Sequence, residues 1–322
     1  MPITSLPGIF AAGAAGGSAS ITWTNRTISA TGYRLEACAY NGSVYGIIGA
    51  RVSNTSKFFY SSDGGVTWNG GSTGQFNHYS GSIQWYNSMW VAAGDGGSSQ
   101  WCKVYTGTSS TLSSWTNSYT TNSHSPTASC IGSSKICVGA INGTWGGYRA
   151  SNSSNGTTWS LAANTALTSG YGQWICGNSS KMVIVNANNA TQTFAHSSDN
   201  GDTWTTQTTS GGSGMISIGC NSSGTKYIAV GTSGKCWTST NGTTWSVKSA
   251  ISTDDFSRVT YDGSSKWCAA TGNGKVFESD DDGSSWAENT TVNVGTSSIS
   301  FLIYAGGKWL LGTTDGKLNT GT

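Results

Sequence analysis

The chain has 322 residues, of which only 9% are charged, and a formal net charge of +2; the usual charged share is about 25%. A balance this near zero leaves no basic stripe for nucleic acid, and no run approaches the roughly 18 apolar residues that a membrane-spanning helix needs. The 15 Trp and 13 Tyr supply the apolar payload that a disordered chain lacks, so a packed fold is expected.

The first residues hold Ile9, Phe10, Ala11 and Ala12 among small residues, with no basic segment before them. A secretory signal peptide is therefore not expected, and residues 1–18 read as an arm or linker ahead of a single domain over 19–322. From there tryptophan keeps a rhythm: Trp23, Trp68, Trp115, Trp159, Trp204, Trp245 and Trp286. Their spacing of about 41 to 47 residues marks a repeat architecture, and units of this length with several short strands are the signature of propeller blades.

Most of these tryptophans close a recurring turn. Ser61, Asp63, Gly65 and Trp68 stand in the same frame as Ser197, Asp199, Gly201 and Trp204. Shorter or altered copies run Asn155, Gly156, Trp159, then Asn241, Gly242, Trp245, then Asp281, Gly283, Trp286. The Asp or Asn side chain can close on backbone N–H groups two residues on, and the Gly supplies a positive φ. The Thr and Trp then begin a strand, with the indole free to wedge against a neighbouring unit. These residues are accordingly expected to be structural.

Each unit reads as four strands. In the clearest they fall at 215–220, 226–231, 235–240 and 244–248, and the next repeats them at 258–261, 266–271, 275–279 and 285–288. The last unit has strands at 298–304, 308–312 and 317–319 but no fourth, while 20–24 stands before any first strand of its own. Pairing the two closes a ring, which removes exposed edges. The expected fold is an all-β, seven-bladed propeller of four-stranded antiparallel blades, its last blade closed by the N-terminal strand.

Lys135, Lys181, Lys226, Lys266 and Lys308 all open a second strand, and at one repeat position they read as a solvated rim. Cys38, Cys130, Cys176 and Cys220 recur at about the same place in four repeats. Since equivalent positions in different blades are expected to lie far apart, they read as small buried hydrophobes in a reduced protein, with Cys130 and Cys137 facing each other across a hairpin.

The turns between second and third strands share a face with the links between blades, and they are uneven. They are long in the first four units (49–57, 93–101, 139–148, 186–193) and short in the last three (232–234, 272–274, 313–316). Loops on a rigid scaffold carry function, so ligand is expected on this face toward the first four blades. The side chains available there are Arg26, Tyr33, Arg34, Arg51, Gln75, His78 and Tyr79, then Asp95, Gln100, Trp101, His124, Trp145, Tyr148 and Tyr171. Asp254, Asp255 and Arg258 complete the set. Flat aromatics suit pyranose faces, and amides and arginines suit hydroxyls and carboxylates.

Read as Ser-x-Asp-x-Gly-x-Thr-Trp, the recurring turn resembles the Asp-box (BNR) repeat of sialidases and of many unrelated β-propellers. That resemblance implies the fold and places the boxes away from the ligand face. It does not extend to sialidase chemistry: the five Arg (26, 34, 51, 149, 258) and three Glu (36, 278, 288) do not fall in the family's order, and sialidases have six blades. Another glycosidase would need two carboxylates on one cleft, for which Asp95 with Asp254 or Asp255 is the available pair. His78, His124 and His196 lie in three different units and Asp280, Asp281 and Asp282 lack an EF-hand frame, so neither metal nor cofactor is expected. The expectation is a non-catalytic binding propeller. Its low charge and Gly/Ser/Thr/Asn surface resemble virion surface proteins of bacteriophages, tail or fibre components assembled in the host cytoplasm. Such a protein would bind a host surface polysaccharide or glycan and meet other virion proteins through its arm. The alternatives are a structural or assembly module of a larger complex and a polysaccharide hydrolase.

Overall fold

The computed structural model describes residues 20–51, 55–76, 80–96, 102–121, 125–141, 148–163, 172–186, 194–209 and 214–322. The arm expected over 1–18 lies outside them. Seven four-stranded antiparallel sheets stand around an axis, six following chain order from the innermost strand outward and the seventh taking the first strand of the chain as its outermost. The innermost strands are Tyr33–Tyr40, Ser80–Tyr86, Ser125–Ile131, Gly172–Gly177, Met215–Cys220, Phe256–Tyr261 and Ile299–Ala305, which define blades 1 to 7.

Local chemistry sets the strand ends. In blade 5 the strands are Met215–Cys220, Tyr227–Gly231, Cys236–Ser239 and Ser246–Lys248. The second begins one residue later than the pattern predicts because the Lys226 N–H is taken by the Asn221 side chain at 3.0 Å, leaving it in the turn. The same capture holds Lys181 to Asn178 and Lys266 to Asp262.

Seven hydrophobic clusters fill the seven junctions between adjacent blades, and each rhythmic tryptophan packs into the junction with the blade before its own. Trp204, 4% exposed, lies between blades 3 and 4 with Cys130, Ile175 and Met182. This is how faces that no blade can bury alone are covered.

The turns that deliver these tryptophans use one hydrogen-bond scheme. Gly65 N–H donates to Ser61 Oγ at 2.9 Å, Thr67 N–H to Asp63 Oδ1 at 2.9 Å, and Trp68 Nε1 to the Gly65 carbonyl at 3.1 Å. The turns at 197–204 and 279–286 repeat it. Gly65 has φ of 83°, a conformation that a β-carbon resists. In blades 3 and 5 the turn is one residue shorter, and Asn155 and Asn241 take the place of Asp in accepting the same N–H groups.

Three of the five lysines expected to form a solvated rim are bonded across blade junctions instead. Lys135 Nζ reaches Asp202 in the next blade's turn at 2.6 Å, Lys226 reaches Asp282 at 2.5 Å, and Lys308 reaches the Gly64 carbonyl at 2.8 Å. These three clamp their blades to the following ones, because a second-strand start faces the following blade's outer turn.

Ring closure is by strand exchange. Trp23–Arg26 pairs antiparallel with Leu318–Gly321, Trp23 opposite Gly321 and Arg26 opposite Leu318. This strand starts three residues later than expected because blade 6 holds the chain just before it. Ile21 N–H donates to Glu278 Oε1 at 3.0 Å, Asn289 Nδ2 donates to the Ile21 carbonyl at 2.6 Å, and Thr291 Oγ1 to the same carbonyl at 3.0 Å. Glu278 is buried and pairs with Lys266 Nζ at 3.1 Å, so its charge is compensated.

Candidate ligand site on the propeller axis

Every innermost strand carries a β-bulge at the same level. The register against the second strand slips between Leu35 and Ala37, Ser80 and Ser82, Pro126 and Ala128, Gly172 and Trp174, Met215 and Ser217, Phe256 and Arg258, and Ile299 and Phe301. A bulge leaves one residue unpaired and sharpens twist, which suits strands crowded around an axis. The bulged serines of blades 6 and 7 use their freedom to tie neighbours: Ser257 Oγ donates to the Ile299 carbonyl at 2.7 Å, and Ser300 Oγ to the Leu35 carbonyl.

At this level the pattern also breaks. Trp174 and Arg258 stand where the other strands carry Ala37, Ser82, Ala128, Ser217 and Phe301, and the bulged residue of blade 1 is Glu36. The Arg258 guanidinium lies 4.1 Å from the centre of the Trp174 ring. Blades 4 and 6 flank blade 5, so this contact is made at the axis, past the innermost strand of blade 5. Arg258 donates to its neighbour Ser257's carbonyl at 2.6 Å, while its Nε is buried and has no hydrogen-bond partner among the described residues. Arg34 Nε lies 3.0 Å from Glu36 Oε1. Burial pulls the Arg258 guanidinium down to about 10, with Glu36 working the other way and Arg34 adding to the drop. Burial also pushes the Glu36 carboxyl up, and Arg34 and Arg258 restrain it. Two guanidinium groups and one carboxylate thus share a partly desolvated space with a net positive charge.

A chamber of about 170 Å³ runs from this level toward the opposite ends of the innermost strands. Trp174 belongs to its wall, as do Ser82, Gln84, Ser129 and Thr260, and Tyr40, Cys220 and Tyr304 stand where the strands end. The Ser82 and Ser129 hydroxyls are buried and unpartnered among the described residues. Cys38, Cys130, Cys176 and Cys220 line the same chamber. The expectation that these cysteines lie far apart fails here: Cys220 Sγ contacts the Gly177 carbonyl of the neighbouring blade at 3.4 Å, because innermost strands are where blades converge. All eight thiols are free, and Cys130 lies directly opposite Cys137 as the hairpin reading expects.

Of the residues singled out from sequence, the fold brings Arg34 and Arg258 to the axis. It leaves others apart. Arg26 Nε bonds Thr320 Oγ1 at 2.7 Å near the ring closure. Tyr33 packs edge-on against Phe59, 5.9 Å between ring centres, and Gln75 Oε1 accepts from Ser72 Oγ at 3.2 Å. Asp254 is held by Lys275 Nζ at 2.9 Å and Asn273 Nδ2 at 2.8 Å, and Asp255 accepts the Ser233 N–H at 2.8 Å, so both fasten the link between blades 5 and 6. Asp95 follows the second strand of blade 2, half-buried beside Cys102. Arg51 and Tyr148 end and begin strands. His78, Tyr79, Gln100, Trp101, His124, Trp145 and Tyr171 lie outside the described residues. Glu36 and Trp174 were missed. The available signal was a charged residue and a large aromatic in innermost strands at positions that are small or aliphatic in most other repeats.

The architecture is that of a seven-bladed β-propeller with an axial chamber. Residues 154–317 match the DUF6242 beta propeller domain, a little over half of the chain, and the chain belongs to that family. No curated protein sequence matches it. Among solved structures it is similar to YCF48 from Cyanidioschyzon merolae, with a TM-score of 0.69 and 16% identity over 93% of this chain and 98% of that one. It is similar to YCF48 bound to D1 peptide, with a TM-score of 0.72 and 16% identity over 93% and 96%. A catalytically inactive virginiamycin B lyase from Staphylococcus aureus with quinupristin gives a TM-score of 0.73 and 10% identity over 94% and 99%. At these identities the likeness is one of fold.

Proposed function

We propose that this chain is a non-catalytic binding propeller whose ligand site is the axis, where Arg34, Glu36, Trp174 and Arg258 converge. The observation that carries the reading is the contact of Arg258 with Trp174 at the axis, beside a chamber with unpartnered hydroxyls. Of the carboxylates considered for hydrolysis, Asp254 is committed to Lys275 and Asp255 to a backbone N–H, and Glu36 at the axis pairs with Arg34. That arrangement supports binding over catalysis.

The narrower reading, a bacteriophage virion protein that holds host glycan on the face with long loops, rests on composition and on the uneven loops. The assembly-module reading has a specific observation in its favour. The chamber runs along the innermost strands, with Ala37 to Tyr40 in its wall, which suits an extended chain end better than a flat sugar ring, and a propeller of the same fold is solved with a peptide. Purified protein titrated with bacterial surface polysaccharides and with a peptide library, followed by tryptophan fluorescence, separates the readings. New reducing ends in the polysaccharide wells would overturn the non-catalytic claim.

A further inference from the structure

Resting on the binding reading, we propose that the axial chamber takes the carboxylate end of an extended peptide, with Arg258 and Arg34 receiving the terminal carboxylate. Three features converge on this ligand. The axial cluster has two guanidinium groups for one carboxylate, so a further anion would balance it in a place partly shielded from water. One N–H of Arg258 is spent on the Ser257 carbonyl and its buried Nε has no partner among the described residues, so the guanidinium still has donors to give. Rotation of the Ser82 and Ser129 side chains in the chamber wall, whose buried hydroxyls have no partner among the described residues, would offer bonds to a peptide backbone passing along the axis.

The dimensions agree. From Glu36 at the bulge to Tyr40 at the strand end is four residues of one innermost strand, roughly 13 Å, the reach of about four extended residues. A space of about 170 Å³ admits a slim chain end and not a branched glycan. The Trp174 face is covered by Arg258, so it is no platform for a pyranose ring.

The test uses the full chain and two matched libraries of N-acetylated pentapeptides, one with free C-termini and one C-terminally amidated. Retention on size exclusion is read by mass spectrometry, and a polysaccharide panel that includes uronate polymers is run beside it. Free acids are expected to be retained about tenfold or more over their amides. Arg258→Gln should abolish the difference and Arg34→Gln reduce it, with Lys103→Gln, on an outer strand, as the charge control. Equal retention of acids and amides overturns the proposal while leaving a binding propeller. Uronate binding without peptide retention does the same and favours the glycan. Silence in every arm overturns both. Because the acid and amide comparison is made on the unmodified protein, it decides the matter even if a variant fails to fold.

Discussion

Between the turn face and the axis of this propeller, repetition and its failure divide the labour. On the turn face, the Asp63, Asp199 and Asp281 turns satisfy the same N–H groups in the same way, and lysines tie three blades to their successors. At the axis the backbone still repeats, down to a bulge in every innermost strand, yet Glu36, Trp174 and Arg258 have no counterpart in the other blades. Repeated contacts add stability evenly around a ring, as in other repeat architectures. A side chain that occurs once contributes little to that evenness, which makes such positions the place to look for recognition.

Removing a wedge should have the largest effect. Trp204→Ala empties the junction between blades 3 and 4, and a buried aromatic truncation costs about 3–5 kcal/mol. The urea midpoint should fall accordingly. The binding proposed at the axis, measured well below that midpoint, should be unchanged; a loss of binding in folded protein would blur the division of labour.

The ring closure comes next. Glu278→Ala leaves Lys266 with Asp280 alone and strips the Ile21 N–H and Asn289 of their buried acceptor, a change worth about 2 kcal/mol. Hydrogen exchange should rise first over 21–26 and 318–321, because these strands close the ring. Uniform exchange over all blades would mean the clasp is not local.

A smaller effect is expected at the axis itself. Glu36→Gln removes the one carboxylate between Arg34 and Arg258, so stability should drop by about 1 kcal/mol at low salt and partly recover as salt screens the two arginines. Salt-independent loss would point to packing and not charge.

These contrasts also explain what could be read from the sequence. Seven tryptophans at near-constant spacing and a turn with a fixed Gly specify a ring, and the missing fourth strand at the end with a spare one at the start specifies its closure, because both depend on local period. The bulges were not legible, since they arise from crowding at the axis and no residue type marks them. Distances between blades were misjudged for the same reason: Cys176 and Cys220 look remote along the chain and meet only because innermost strands converge. Lys135 and Lys226 read as solvent-facing until the next blade's turn is placed beside them. Arg34 and Arg258 were chosen as loop-side groups and found their partners in Glu36 and Trp174, strand residues that a search confined to loops passes over.

The smallest effect is a titration, and blades 3 and 5 already contain its control. The Thr67 hydroxyl and N–H hold the Asp63 carboxyl well below its ordinary range. At Asp199 and Asp281 burial works against the shift, and bonds from Thr203 and Ser285 outweigh it. A carboxyl whose folded pKa is depressed adds stability that is fully present above its unfolded value, about 3.9, and is lost as pH falls through the folded value. For Asp315, where burial is outweighed by bonds from Thr313, Ser297 and Lys317 and the carboxyl is lowered to about 2, that window runs from about 4 to 2, and for Asp63 it opens at the same upper limit. Asn155 and Asn241 accept the equivalent N–H groups with an amide that does not titrate there. Asp63→Asn should therefore leave stability near pH 7 little changed and flatten its decline between pH 4 and 2, read from urea midpoints across that range. An unchanged acid slope would place the titrating groups elsewhere, and the turn would then owe its geometry to the backbone and Ser61 alone.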